Sequence, residues 1–254
     1  MRICVLGIGN VGTSLVLSLN RSPHVLVQLY NRTFENIPDS IIDLNIPIIN
    51  DLQLLTQEAD VYLLCVKDDV LPQMVADMPD SEKLIVHTAG SVDIKVLEKK
   101  FKRAAVMYPF QTFSKSKPLD FDTIPLCLET SYLDDYEFLE QIATSISKQV
   151  YYLSGFQRKQ LHIAAVFACN FVNHFYGIAY NILQNNDLPF ELMHPLILET
   201  AQKALLKPPH DVQTGPAVRG DEVTMQIHKT ILKEDKELVD LYSLISDRIF
   251  KTRQ

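Results

Sequence analysis

The first twelve residues constrain the chain more than any other stretch. Ile3-Cys-Val-Leu6 is a short apolar run. Gly7, Gly9 and Gly12 follow in GIGNVG, and Thr13–Leu19 then carries apolar residues at helical spacing. The order strand, glycine turn, helix predicts a dinucleotide-binding unit. Gly7 permits the tight turn, Gly9 lets backbone approach a pyrophosphate, and Gly12 lets helix and strand pack closely. The pyrophosphate is expected on the free N–H groups of the helix start, at Asn10 and Val11.

A second strand, Val25–Tyr30, follows on schedule and ends in Asn31-Arg32-Thr33. An acidic residue at that corner would favour a bare ribose hydroxyl. Arg32 instead suits a 2′-phosphate, so the corner predicts NADP rather than NAD. The alternatives are a Rossmann-like unit that binds no nucleotide, or an arginine that is only a solvated loop charge.

Strands and helices go on alternating. Ile46–Ile49 reads as a third strand, and Asp51 as the cap of a helix carrying Leu52, Leu54, Leu55 and Ala59. Asp60–Val66 is nearly all apolar and predicts a central strand buried on both faces. Val66 and Lys67 at its carboxyl end join the expected cofactor set, because ligands of open α/β sheets collect there. Further strands are expected at 84–87, 104–107, 124–128 and 149–153, with helices at 70–78, 93–101 and 136–146. The reading is a doubly wound parallel α/β sheet over residues 1–153. No strand is expected in residues 154–254, which read as an all-α domain.

With 254 residues, the chain is long enough for one large domain or two ordinary ones. Its net charge of −7, with no lysine or arginine block, argues against a nucleic-acid face. No apolar run reaches the roughly 20 residues of a membrane span. The chain opens on a core strand, which leaves no room for a signal peptide. Cys4, Cys65, Cys127 and Cys169 are scattered through apolar segments. They read as buried reduced thiols of a cytoplasmic protein, without metal-ligand spacing.

Residues 157–184 form one long helical pattern. At about 100° per residue, Lys159, His162, Val166, Asn170, Asn173 and Gly177 share one stripe. Amides and a histidine there, in place of Glu and Lys, suit a helix facing a cleft. Hydride addition to a carbonyl or imine needs a proton or a positive field, which Lys159 or His162 can supply. Asn170 is expected to orient substrate, and Asn173 to bind it or to be a satisfied interior amide. In TGPAVRGD, Arg219 is either a clamp for a substrate anion or the partner of Asp221. His87 and Ser91, in HTAGS, are expected on the nicotinamide side. His87 is either a proton donor or a loop hydrogen-bonder.

GIGNVG, the YNRT corner, VHTAGS, MYPFQTFSK, RKQLHIAAVFACNFVNHFY and TGPAVRGD together resemble the Rossmann-like proteins with a DUF2520 helical domain, a group described as NADP oxidoreductases. More distantly the layout is similar to pyrroline-5-carboxylate reductase, ketopantoate reductase and the β-hydroxyacid dehydrogenases. The resemblance implies NADP as cofactor and a C-terminal domain like that of 6-phosphogluconate dehydrogenase. It also implies a homodimer formed through the helical domain; the small polar carbonyl or imine substrate is expected from the chemistry of the helix stripe. Lys159 matches the catalytic lysine of β-hydroxyacid dehydrogenases only loosely. Their asparagine one turn later is Ile163 here, and His162 fills the neighbouring slot. Two non-catalytic alternatives are an NADP(H) sensor or metabolite-binding protein, and an assembly protein whose helices serve to dimerise.

Overall fold

The computed structural model describes residues 1–113 and 119–253. By contact it divides into two compact units, Met1–Val172 and Asn173–Gln254.

The first unit is built on an eight-stranded sheet in the order β3-β2-β1-β4-β5-β6-β7-β8. Its strands are β1 (Arg2–Leu6), β2 (Val25–Tyr30), β3 (Ile48–Ile49), β4 (Val61–Leu64), β5 (Leu84–His87), β6 (Ala104–Pro109), β7 (Leu126–Thr130) and β8 (Val150–Tyr152). The helices between them are α1 (Asn10–Leu19), the short α2 (Asp39–Ile42), α3 (Leu71–Asp77), the short α4 (Lys95–Glu98) and α5 (Asp134–Ile146).

Alternation along the strands sorts side chains into two cores, one on each face. Ile3, Val5, Val61, Leu63, Ala105 and Met107 pack with α1 and α5. Cys4, Leu6, Tyr62, Leu64, Ala104 and Val106 pack with α3 and with Leu97 of α4. Strand order reverses between β1 and β4, which is where an open α/β sheet leaves a crevice at its carboxyl edge.

The expected sheet is corrected at one pairing. β6 and β7 run antiparallel, with Met107 opposite Leu128. A parallel return needs a crossover, usually helical. The described residues of this connection hold only a 3-10 turn, Phe121–Thr123. Residues 114–118, which include the end of the MYPFQTFSK motif, lie outside the described set.

The helix expected after Asp51 is also corrected, to a single 3-10 turn, Leu52–Leu54. Asp51 does cap it, accepting from Gln53 N. The buried side chain of Gln28 then takes the backbone groups a longer helix would use. It donates to Leu54 O and accepts from Thr56 N.

The long helical pattern is real but not uniform. α6 (Gly155–Ala165) passes into a π-helical segment, Val166–Phe171, and on into α7 (Val172–Gln184). The wider turn breaks a projection made at α-helical spacing, so the single stripe from Lys159 to Gly177 does not persist. Gly155–Gln184 spans 30 residues and is long and apolar enough to cross a membrane by length and composition. The start of this helix is nevertheless tied to the sheet, as described below.

The second unit holds the rest of α7, α8 (His194–Leu206), the short α9 (Pro216–Arg219), α10 (Glu222–Ile231) and α11 (Lys236–Thr252). Gly220 adopts the left-handed conformation, with φ +69°, and closes α9. Asp221 then caps α10 by accepting from Thr224 N and its hydroxyl.

Candidate active site

A groove of about 1370 Å3 runs along the carboxyl edge of the first unit's sheet. Pockets for drug-sized ligands are usually about 300–1,000 Å3, so this one has room for a dinucleotide and a small second molecule. One stretch of wall is the glycine turn, Gly7 to Val11, with Asn31, Arg32 and Thr33 beside it. Val66, Lys67, Asp68 and Asp69 follow from the end of β4. The remaining wall includes Ala89, Gly90, Tyr108, Phe110, His162, Cys169 and Asn170.

The glycine turn is built for a phosphate. Gly7 has φ +100°, and a side chain there would meet Cys65 O at 2.6 Å. A side chain on Gly12 would collide with Gly7 O, so helix and turn are in direct contact. A Cβ on Gly9 would meet nothing within 4 Å, because that face is open to the groove. Gly9 caps α1 without any side-chain hydrogen bond, which leaves the first-turn N–H groups free for an anion.

Asn31 has a structural task in the same place. It accepts from Ile8 N at 3.0 Å and donates to Thr33 O at 2.6 Å, so it fastens the glycine turn to the β2 corner. Asn10 Nδ2 donates to Phe113 O and anchors the segment that follows β6. Arg32 is exposed and forms no ion pair among the described residues. A nucleotide carrying a 2′-phosphate therefore fits the side chains present.

At the other stretch of wall, Tyr108 Oη and His162 Nδ1 are 3.1 Å apart. Gly90 packs against both. A Cβ there would lie 2.6 Å from Tyr108 Cζ and 2.7 Å from His162 Nδ1. Burial pushes the Tyr108 hydroxyl up to about 12, so it stays a neutral phenol.

Beneath this pair lies a buried clamp. Arg158 is fully buried, one helical turn before His162. Its Nε donates to Glu129 Oε2 at 2.9 Å, and its Nη1 donates to the carbonyls of Ala89 and Gly90 at 3.1 and 2.7 Å. Glu129 also lies against Gly155 at the start of α6, where a Cβ would come within 2.7 Å of its Oε1. Three elements are thus held together: β7, the loop after β5, and α6. Ser154 and Gln157 complete a reciprocal capping box at the same helix start.

Several expected site residues are placed elsewhere. Lys159 is not in the groove wall; its Nζ pairs with Asp93 Oδ2 at 2.6 Å. Ser91 is exposed and donates to Asp68, whose own residue does line the groove. His87 is fully buried and accepts from Ala89 N through Nδ1. Burial, and then the Arg158 charge, push it down to about 3, so it is neutral and cannot donate a proton at physiological pH. It is the loop hydrogen-bonder.

Asn173 and Arg219 belong to the second unit, where both are exposed. No ion pair joins Arg219 to Asp221 among the described residues; Asp221 is occupied as the α10 cap. Cys4, Cys65 and Cys127 are buried as expected, but Cys169 is exposed and lines the groove. The π segment places it there.

Tyr108, Glu129 and Arg158 were not singled out from the sequence. Each carries a faint signal. Tyr108 ends an apolar strand at the sheet's carboxyl edge, Glu129 is a charge inside an apolar strand, and Arg158 lies four residues before His162.

The sheet order, the glycine turn and the groove together define a Rossmann-type oxidoreductase fold. Residues 2–90 match a family model described as NADP oxidoreductase, coenzyme F420-dependent. Residues 124–249 match the domain of unknown function DUF2520. A crystal structure of the Bacteroides fragilis protein BF3122, described as a candidate NADP oxidoreductase, is 39% identical with a TM-score of 0.88, over 98% of both chains. This chain belongs to that family of Rossmann-like NADP oxidoreductases with a DUF2520 domain.

Two more distant structures share the fold. One is a pyrroline-5-carboxylate reductase from Streptococcus pyogenes, 13% identical with a TM-score of 0.65, over 99% of this chain and 98% of that one. The other is a reductive aminase from Aspergillus terreus in complex with NADPH and ethyl levulinate, 13% identical with a TM-score of 0.74, over 99% and 94%. No curated protein matches the chain.

Proposed function

We propose that the protein reduces a small polar carbonyl or imine compound with NADPH. One observation carries this reading: a single groove has the phosphate-binding turn and Arg32 in its wall, and also the Tyr108–His162 pair and Asn170. NADPH, when bound, supplies hydride. The chain's own residues do the rest. The α1 N-terminus takes the pyrophosphate, and Arg32 takes the 2′-phosphate. His162 stands beside the reacting group, and Asn170 offers an amide to orient it. The pyrroline-5-carboxylate reductase and the reductive aminase that share this fold are named for compounds of this kind.

Lys159 enters only as a neighbour that steadies the α6 start through Asp93. We read residues 1–153 and 154–254 as the cofactor and substrate domains. The three buried free thiols accord with a reducing, cytoplasmic setting. Exposed apolar residues on α8 and α10 support a homodimer.

Nucleotide titration followed by fluorescence tests the cofactor. Arg32→Ala is expected to weaken NADPH binding at least tenfold while leaving NADH within about twofold, as loss of one charge-assisted phosphate contact implies. Equal loss for both nucleotides would remove the 2′-phosphate role.

A further inference from the structure

We propose that Tyr108, recharged by His162, is the group that protonates the substrate, and that the site is therefore built for uncharged carbonyl compounds rather than iminium ions. This rests on the reductase reading above.

Tyr108 and His162 are titratable groups of the groove wall that hydrogen-bond to each other. The lysine and arginine residues of the described groove wall are Arg32, at the β2 corner, and Lys67, just after β4. Lys159 is outside the wall and tied to Asp93. His87 is sealed and neutral. Tyr108, by contrast, is held on three sides. Phe110 meets its ring edge-on at 6.0 Å, His162 meets it at 6.0 Å and 61°, and Gly90 closes the gap between them.

A phenol has one proton. In the 3.1 Å contact it can either donate to His162 Nδ1 or accept from it. Only the second arrangement leaves the phenol proton free for a substrate. The step then balances as follows. The carbonyl carbon gains hydride as the C=O π bond breaks. The oxygen takes the proton of Tyr108. Tyr108 takes the Nδ1 proton of His162, and His162 regains a proton from water. Recharging from His162 then returns Tyr108 to the neutral phenol that burial favours.

An iminium ion makes no such demand. It already carries its proton or alkyl group on nitrogen, and hydride addition yields a neutral amine directly. A relayed phenol gives it no advantage, whereas a ketone or aldehyde must receive a proton as charge builds on oxygen.

Two probes separate the cases: methylglyoxal, and N-methyl-1-pyrrolinium, which cannot use a donor. Tyr108→Phe is expected to slow NADPH-dependent reduction of methylglyoxal about 100-fold or more, within the usual range for a lost acid catalyst. Reduction of the pyrrolinium is expected to change less than threefold. His162→Gln should reproduce that selectivity in weaker form, which guards against one variant folding poorly.

A second readout needs no nucleotide. In histidine-labelled protein, the NMR titration of His162 should shift in Tyr108→Phe. Equal losses on both probes, an unchanged methylglyoxal rate, or a superimposable His162 titration would each overturn the proposal. So would turnover of neither probe by protein that binds NADPH. If NADPH does not bind at all, the reductase reading falls, and the titration alone then decides whether the pair is coupled.

Discussion

Two histidines at the same edge of the sheet have opposite environments. His162 is half-buried in the groove wall and hydrogen-bonded to Tyr108. His87 is completely enclosed, with Nδ1 accepting from Ala89 N and Nε2 without a partner among the described residues. Its role is to shape the loop whose carbonyls Arg158 then grips. The cost of that enclosure is a pH dependence. In the unfolded chain a histidine takes up a proton near 6.5, but folded His87 resists until about 3. Between those values the unfolded state binds more protons, so stability falls as pH falls. The loss from this one group is about 1.4 kcal/mol per pH unit. His87→Asn keeps an acceptor for Ala89 N and does not titrate. Its melting temperature should therefore depend less steeply on pH than the wild type's between pH 6.5 and 4. Parallel curves would show that His87 is protonated in the native state.

At the scale of elements, the joint between β7, the β5 loop and α6 depends on one buried ion pair. Arg158 is 0% exposed at its side chain and Glu129 12%. Arg158→Met strands the carboxylate and two carbonyls, and breaking a buried pair in this way costs about 3–5 kcal/mol. Scanning calorimetry should show a fall in melting temperature of roughly 10 °C. Arg158→Met combined with Glu129→Leu should recover part of that loss, because no lone charge remains. No recovery would mean that the carbonyl contacts, rather than the charge pair, hold the joint. This clamp also marks where sequence reading ends. Strands β1, β4 and β5 were legible because a continuous apolar run is a local signal. The GIGNVG turn was legible because each glycine answers a backbone demand within a few residues. Arg158 meets Glu129 across 29 positions and Gly90 across 68, and nothing local encodes such a meeting. The helix after Asp51 failed for the same reason, since Gln28 intercepts its backbone from a distant strand. The π segment failed because a regular angular projection has no means of showing where the helix widens. His162 and Asn170, which line the groove, were nevertheless legible, since an amide and a histidine on an otherwise apolar helix stand out even when the period drifts.

For the molecule as a whole, the helical unit poses a question of stability. Among residues 173–253 only Ala217 is buried. Leu196, Leu198, Leu205 and Leu206 of α8 are all at least 60% exposed. α10 shows Val223, Ile227 and Ile231 at four-residue intervals, each more than half exposed, so they form one apolar row along the helix. Ordering each residue costs about 1–2 kcal/mol of backbone entropy, and a unit whose apolar side chains, such as Leu232, Leu238, Val239 and Ile249, are only half-buried recovers less of it than the sheet unit does. The exposed residues of α8 and α10 leave apolar surface for a further partner to cover. A second copy is the partner most directly suited, because an isologous contact lets the same row cover its own counterpart. Gln226, Lys229 and Asp247 border the α10 row with both signs of charge, as a self-complementary rim requires. Light scattering after gel filtration should therefore give twice the 28.9 kDa chain mass. Val223→Lys with Ile227→Lys should shift the protein to monomer and expose the helical unit to limited proteolysis, while the sheet unit, with its two buried cores, stays resistant. A wild-type protein that runs as a monomer with a protease-resistant helical unit would show that these faces are covered within the chain, and the dimer would fall.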